Sequence, residues 1–158
     1  MKPTISYRVI AIPTKVADLV RETMKSPGYG HPAHTEIAAG YGPCRHCLHD
    51  FHVGQESRIL FTYDPFFSLE DFPLLGPIFI PAEPCNRFSE GSGSPDDARH
   101  HRVTLAAYAD GRRLLAEEHV ENGDVDPVMQ KLLSLDSVKY LHVRDTEVGC
   151  YDFRIERS

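Results

Sequence analysis

The chain has 158 residues, of which 41% are hydrophobic and 25% are charged, and its formal net charge is −6. This length and composition are typical of a globular protein and exclude disordered and fibrous classes. Lysine and arginine are scattered as singles or pairs, which argues against binding to nucleic acid or to anionic membranes. We therefore expect one domain over residues 1–158 with neither of these partners.

The sequence also indicates a cellular compartment. No segment is apolar enough for the core of a signal peptide or for a membrane span. The four cysteines lack a small disulfide-rich framework around them, as is usual for reduced thiols in the cytosol. We expect a cytoplasmic protein, although the even number of cysteines leaves disulfides open for an exported one.

The first part of the chain predicts a strand followed by a helix. Residues 5–12 are rich in β-branched residues, and Pro13 ends this strand before a helix over residues 14–25. Apolar residues recur in the helix at three- and four-residue intervals, which gives one face for packing on a sheet. Residues 28–43 contain four glycines and two prolines and predict an ordered loop.

The middle of the chain predicts a hairpin, an edge strand and a loop. Residues 44–50 are interpreted as a strand that pairs with residues 57–63. A short strand at residues 76–81 is bracketed by prolines, which favours a peripheral position. Residues 90–97 have the most linker-like composition, so we expect a mobile loop over about residues 88–101.

The last third of the chain adds a hairpin, a helix and two strands. Asp110-Gly111 is the strongest short-range hairpin signal, and Asp126 followed by Pro127 is typical of an N-cap and a helix start. In chain order we expect strands at residues 102–109 and 112–120, a helix at 124–135, and strands at 138–143 and 150–155. This order favours an α+β fold, a mostly antiparallel sheet of about six to eight strands with two helices packed on one face.

Half of the cysteines and two of the nine histidines fall within residues 44–49. In a strand, Cys44 and His46 would share one side. A thiol beside an imidazole is the minimum for a nucleophilic cysteine, so Cys44 and His46 are the candidate catalytic residues. With Arg45 adjacent, Cys44 is expected to be the most reactive thiol. The alternative is a buried structural Cys44 and a surface His46.

Further polar residues belong to the two C-terminal strands. Cys150 and Arg154 fall on the polar side of the last strand, and His142 is in phase with Tyr140 on the strand before it. We assign as candidate ligand-binding residues Arg45, His142, Cys150 and Arg154. The expected ligand is a small molecule whose anionic group an arginine holds. The alternative is a solvated sheet face with a structural histidine.

The pair Cys44-x-x-Cys47 also allows half of a zinc site or a dithiol redox pair. A zinc knuckle needs a tight turn between its cysteines, and a redox motif needs a helix after the first cysteine. This segment predicts a strand instead, in which residues three apart point to opposite faces. We therefore expect neither a bound metal nor a cofactor.

Five segments carry a family resemblance: 42–48 (GPCRHCL), 76–80 (GPIFI), 107–112 (AYADGR), 138–143 (VKYLHV) and 149–157 (GCYDFRIER). Together they resemble an uncharacterised bacterial family, domain of unknown function 1203, over most of the chain. The resemblance implies no activity, because the family has no assigned reaction. In the family pattern the position of Cys47 is often serine, which adds to the argument against a metal site.

Two functions of different classes follow as hypotheses. The first is a small-ligand-binding or enzymatic domain whose pocket contains Cys44, Arg45, His46 and Cys150. The second is a non-catalytic interaction module in which the aromatic segment 66–72 contacts a partner protein. A zinc-binding structural domain is a further alternative. The sequence specifies neither a reaction nor an oligomeric state.

Overall fold

The computed structural model describes residues 4–40, 42–65, 76–97, 101–122 and 124–158. These residues form eight strands and two α-helices. In chain order they are β1 (Tyr7–Ile10), α1 (Thr14–Thr23), β2 (His34–Ile37), β3 (Ser57–Tyr63), β4 (Gly76–Pro81), β5 (Val103–Tyr108), β6 (Leu114–Val120), α2 (Asp126–Leu133), β7 (Tyr140–Asp145) and β8 (Tyr151–Arg157). All strand pairs are antiparallel, so the predicted α+β class is confirmed.

The eight strands divide into two sheets. The larger sheet has the order β1-β8-β7-β5-β6, and the smaller has the order β2-β3-β4. The predicted hairpin of β5 and β6 turns at Gly111, whose φ of 70° lies in the left-handed region that glycine adopts without strain. As predicted, β4 is an edge strand, where its prolines are tolerated.

Each sheet carries its own helix and its own apolar core. The helix α2 packs on the larger sheet and buries Met129, Leu132 and Leu133, which recur at the predicted spacing. The helix α1 buries Val16 and Val20 against residues of β3 and β4. The helices therefore cover two sheets, whereas the sequence predicted two helices on one face of a single sheet.

Three local predictions are wrong. Residues 44–50 contain a tight turn instead of a strand, and β3 pairs with β2 and β4. The strand β2 lies inside the stretch predicted as a loop, because its mostly exposed residues have no apolar alternation. Asp126 does not cap α2, because its carboxylate accepts hydrogen bonds from Tyr7 at 3.1 Å and Ser94 at 2.7 Å.

The segment after β4 runs without regular structure past Cys85 to Pro95, and residues 96–97 belong to a 3-10 turn. It is attached to the domain by Ser94, which donates to Asp126, and by Asp97, which accepts a hydrogen bond of 2.9 Å from the main chain of Asp50. The mobile loop at about residues 88–101 stays a prediction, and residues 98–100 lie outside the described part of the chain. The aromatic segment 66–72 also lies outside the described residues.

In the described ranges, neither α-helix has the length and apolar character that a membrane crossing requires.

The exposed backbone around residues 89–92 should be the first site of limited proteolysis. Replacing Asp126 by alanine removes the acceptor for the hydroxyl of Ser94. Loss of this hydrogen bond should destabilise the attached segment by about 1 kcal/mol, so its open form should be about fivefold more populated. We expect faster cleavage after Glu90 by a glutamate-specific protease, measured by mass mapping. Asp124→Ala, at an exposed neighbouring position, is the control. First cuts within residues 138–155 would show that β7 and β8 are not part of the stable core.

Candidate functional site

Residues 44–47 form a tight turn that places hydrogen-bond donors around one sulfur. The turn is closed by Leu48, whose N–H donates to the carbonyl of Cys44 at 2.8 Å. The N–H groups of His46 and Cys47 both donate to Sγ of Cys44 at 3.3 Å. Hydrogen bonds of this kind favour a thiolate. The turn therefore has the local geometry that a metal-binding cysteine pair requires, which the predicted strand lacked.

A third cysteine comes to this turn from a distant part of the chain. Cys85 lies in the irregular segment after β4, and its Sγ is 3.9 Å from Sγ of Cys44. The sulfurs of Cys44, Cys47 and Cys85 all lie within 4.8 Å of one another. We call these three residues the cysteine cluster. Sequence reasoning missed Cys85, because no spacing motif links it to the other two.

Two basic side chains contact the cluster through Cys85. His46 is fully buried, with Nδ1 at 3.0 Å from Sγ of Cys85 and Nε2 at 2.9 Å from the hydroxyl of Thr14. Arg21 of α1 donates to the same sulfur at 3.7 Å and to the carbonyl of Pro81 at 3.1 Å. The candidate catalytic residue His46 therefore contacts Cys85 through its ring.

The pKa values of Cys44 and Cys85 are shifted in opposite directions. Hydrogen bonds from the thiols of Cys44 and Cys47, followed by that from His46, lower the pKa of Cys85. Burial raises the pKa of Cys44, which is only 1% exposed. Burial thus disfavours the thiolate at Cys44 that the sequence predicts, and the reactivity of Cys44 stays a prediction. The lowered pKa of Cys85 favours the thiolate at this residue over Cys44.

Arg45 lies under the turn in a buried ion pair. Its Nη2 is 2.9 Å from Oδ1 of Asp152, and both side chains are almost fully buried. Its Nε donates to the carbonyl of Tyr151 at 2.6 Å, and its Nη1 donates to the carbonyl of Pro43. All three guanidinium nitrogens of Arg45 thus have partners inside the protein and connect the turn to β8, and its binding of a ligand stays a prediction.

The other candidate residues have different surroundings. His142 packs against Tyr108, Tyr140 and Tyr151 with ring centroids 5.0 to 5.2 Å apart. Burial lowers the pKa of His142 to about 3, so its ring is neutral near neutral pH. Arg154 pairs with Glu156 at 2.8 Å, and burial raises the pKa of the half-buried Cys150. The structure thus joins Cys44, Arg45 and His46 in one turn and places His142 in an aromatic cluster on the larger sheet.

A pocket of about 600 Å³ opens next to the cysteine cluster. Cys47 and Cys85 form part of its wall, whereas Cys44 is buried behind them. Its titratable wall residues, besides these two cysteines, are His49, Asp50, His52, Glu56 and Glu83. Such a volume is typical of small-molecule sites.

The buried pair of Arg45 and Asp152 should give the stability a characteristic pH dependence. Burial, opposed by the charge of Arg45, raises the pKa of Asp152 to about 6 from an ordinary 3.8. Because the folded-state pKa is the higher one, this carboxyl contributes stability below about pH 4 that is lost as the pH rises through about 6. The stability of the wild type relative to Asp152→Asn should therefore fall by a few kcal/mol over that range, about 1.4 kcal/mol per pKa unit.

Urea unfolding at a series of pH values measures this difference. Asp136→Asn, at an exposed position, is the control and should follow the wild type throughout. A wild-type advantage that stays constant or grows with rising pH would show that the attraction of Arg45 outweighs the burial of Asp152.

Thiol labelling distinguishes Cys85 from the buried Cys44. In reduced, metal-free protein we expect iodoacetamide to label Cys85 about tenfold or more faster than Cys44. The reason is that Cys85 lines the pocket, whereas Cys44 is 1% exposed. Peptide mass mapping over time gives both rates, with Cys150 as an internal reference. Faster labelling of Cys44 in the native protein would contradict the described burial.

The profile of one protein family, described as "Protein of unknown function (DUF1203)", matches residues 41–157. The match covers most of the chain and includes the turn, Cys85 and Asp152. No curated protein and no solved structure matches the chain. The family description states no activity, so the function has to be inferred from the geometry of the site. As the sequence resemblance predicted, the chain belongs to the DUF1203 family.

Proposed function

We propose that this protein is a zinc-binding domain that holds one ion through Cys44, Cys47 and Cys85. The observation that carries the proposal is the convergence of their three sulfurs. In a tetrahedral site with zinc–sulfur bonds of about 2.3 Å, neighbouring sulfurs are about 3.8 Å apart. The sulfurs of Cys44 and Cys85 are 3.9 Å apart, so an ion fits between them with little movement.

The surroundings of the sulfurs support the same proposal. Metal ligands are commonly oriented by a second layer of hydrogen bonds, and their loss weakens metal binding. Here two main-chain N–H groups donate to Cys44, while His46 and Arg21 contact Cys85. Three thiolates and one divalent ion leave a charge of −1, which the guanidinium of Arg21 offsets.

Zinc fits this site better than magnesium or calcium does. Thiolates are soft ligands and select zinc, copper(I) or iron–sulfur clusters, whereas magnesium and calcium prefer oxygen. The short separation of Cys44 and Cys85 fits two ligands on the same ion. A cytoplasmic location, as expected from the sequence, would keep the thiols reduced and available.

The same geometry weakens the hypothesis of a nucleophilic cysteine with an anion-binding arginine. Cys44 is almost inaccessible, and Arg45 is paired with Asp152 inside the protein. A bound ion would instead connect the turn at residues 44–47 with the segment after β4. The first contribution of the metal is therefore to fix these two segments against each other.

The protein purified under reducing conditions and without a polyhistidine tag should contain about one zinc ion per chain. Cys44→Ser and Cys85→Ser each remove one ligand and should abolish stoichiometric binding. Cys150→Ser changes a cysteine outside the cluster and is the matched control. Elemental analysis gives the stoichiometry, and thermal unfolding with and without a chelator gives the stabilisation.

A variant of His46 tests the contacts that surround the metal-binding sulfurs. His46→Ala removes a contact to Cys85 but no sulfur, so zinc affinity should fall by about 10- to 100-fold. Competition with a chromophoric chelator measures this change. Wild-type protein with far less than one equivalent of zinc, even after reconstitution, would refute the proposed function. Full zinc occupancy in Cys85→Ser would refute this ligand set.

A further inference from the structure

The three cysteines fill three positions of a tetrahedral ion and leave a fourth. Within the described ranges, the group of metal-ligating side chains that converges here contains Cys44, Cys47 and Cys85 and no fourth member. Closed structural zinc sites have four protein ligands, whereas sites that act on other molecules keep one position open. The cysteine cluster thus has the composition of an open site.

The position of the pocket indicates where the open coordination position points. An ion held by three sulfurs has its remaining position on the side away from them. Cys44 is buried at the back, whereas Cys47 and Cys85 form the wall of the adjoining pocket. We infer that the ion takes its fourth ligand from this pocket, and that the ligand is an exchangeable neutral nitrogen donor, with water in its absence. The inference rests on the proposed zinc site.

The charges around the pocket select against anionic ligands. Arg21 offsets the charge of −1 that three thiolates and a divalent ion leave, but Asp50, Glu56 and Glu83 line the pocket itself. Of these, Asp50 is paired with His101 at 2.9 Å. A carboxylate or phosphate would be repelled by the remaining acids, Glu56 and Glu83. A neutral imidazole or amine avoids this repulsion and still donates an electron pair to zinc.

The pocket is also large enough for such a ligand. Its volume of about 600 Å³ exceeds what water or a lone imidazole requires and falls in the range of small-molecule sites. The proposed ligand class is therefore a small molecule, or a peptide side chain, that carries a neutral nitrogen. This differs from the anionic ligand expected from the sequence, because of the two arginines behind that expectation Arg45 is buried against Asp152 and Arg154 pairs with Glu156.

Two histidines in the wall offer a competing explanation. His49 is exposed and lies 3.2 Å from Asp97, and His52 is exposed as well. Either ring would fill the fourth position if it turned towards the sulfurs. The site would then be closed, and an added ligand would have nowhere to bind.

Replacing zinc by cobalt(II) makes the coordination visible, because the d–d absorption bands respond to a change of ligand. The full-length, untagged protein is loaded with one equivalent of cobalt and titrated with imidazole, and in parallel with azide as an anionic probe. We expect imidazole to shift the bands in a saturable way while cobalt stays bound. Azide at equal concentration should produce little change. In Glu56→Gln/Glu83→Gln the azide affinity should rise severalfold, and Glu22→Gln, an exposed acid on α1, should leave it unchanged.

The outcomes separate this inference from the proposed function. Bands that ignore imidazole but change in His49→Ala or His52→Ala would show a closed site with a histidine ligand. An equal response to azide and imidazole would refute the selection for neutral donors. In both cases the zinc site itself would stand. Failure of cobalt to bind stoichiometrically would refute the zinc site and this inference together.

Discussion

The buried charge of Arg45 is the constraint on which the site depends. A guanidinium inside a protein is tolerated only when it is paired and its donors are satisfied. Here Asp152 supplies the opposite charge, and the carbonyl of Tyr151 accepts a further hydrogen bond. The main chain of Arg45 also donates to Phe79 in β4 and accepts from Ile12, both at 3.1 Å. One residue thus holds the turn against both sheets. A shift of the turn would separate the guanidinium from Asp152 and leave a buried charge without its partner.

The position of the sulfurs follows from this constraint. With the turn fixed, the N–H of Phe88 donates to the carbonyl of His46 at 2.9 Å and draws the segment of Cys85 alongside. Arg21, presented by α1, holds the start of the same segment through the carbonyl of Pro81 at 3.1 Å. The three thiols therefore converge because the backbone around them is held from several directions. A site positioned in this way loses little conformational freedom when it binds a ligand.

Local sequence patterns predict most of the secondary structure, but they do not predict the cysteine cluster. The helices and the hairpin at Asp110-Gly111 were predicted correctly, because apolar periodicity and turn residues act over a few neighbours. The alternating polar residues of segment 44–50 have the pattern of a strand. The turn that forms there depends instead on N–H···S hydrogen bonds and on contacts with β4 and β8. The contribution of Cys85 and the buried ion pair of Arg45 escaped sequence reasoning for the same reason, since both come from tertiary neighbours that the sequence does not specify.

The cysteine cluster stands apart from the cores that hold the domain together. Few apolar side chains surround the cluster, and the buried residues of this small group are Ala38, Cys44 and Phe51. The core under α2 and the core under α1 are larger, and neither contains a sulfur of the cluster. In small zinc domains the metal supplies the folding energy that the core lacks. Here two apolar cores lie outside the cluster and would supply this energy without an ion. At the proposed zinc site, metal binding would act on the junction between the turn and the segment after β4, and a change of metal or of its fourth ligand would alter this surface while both sheets stay folded.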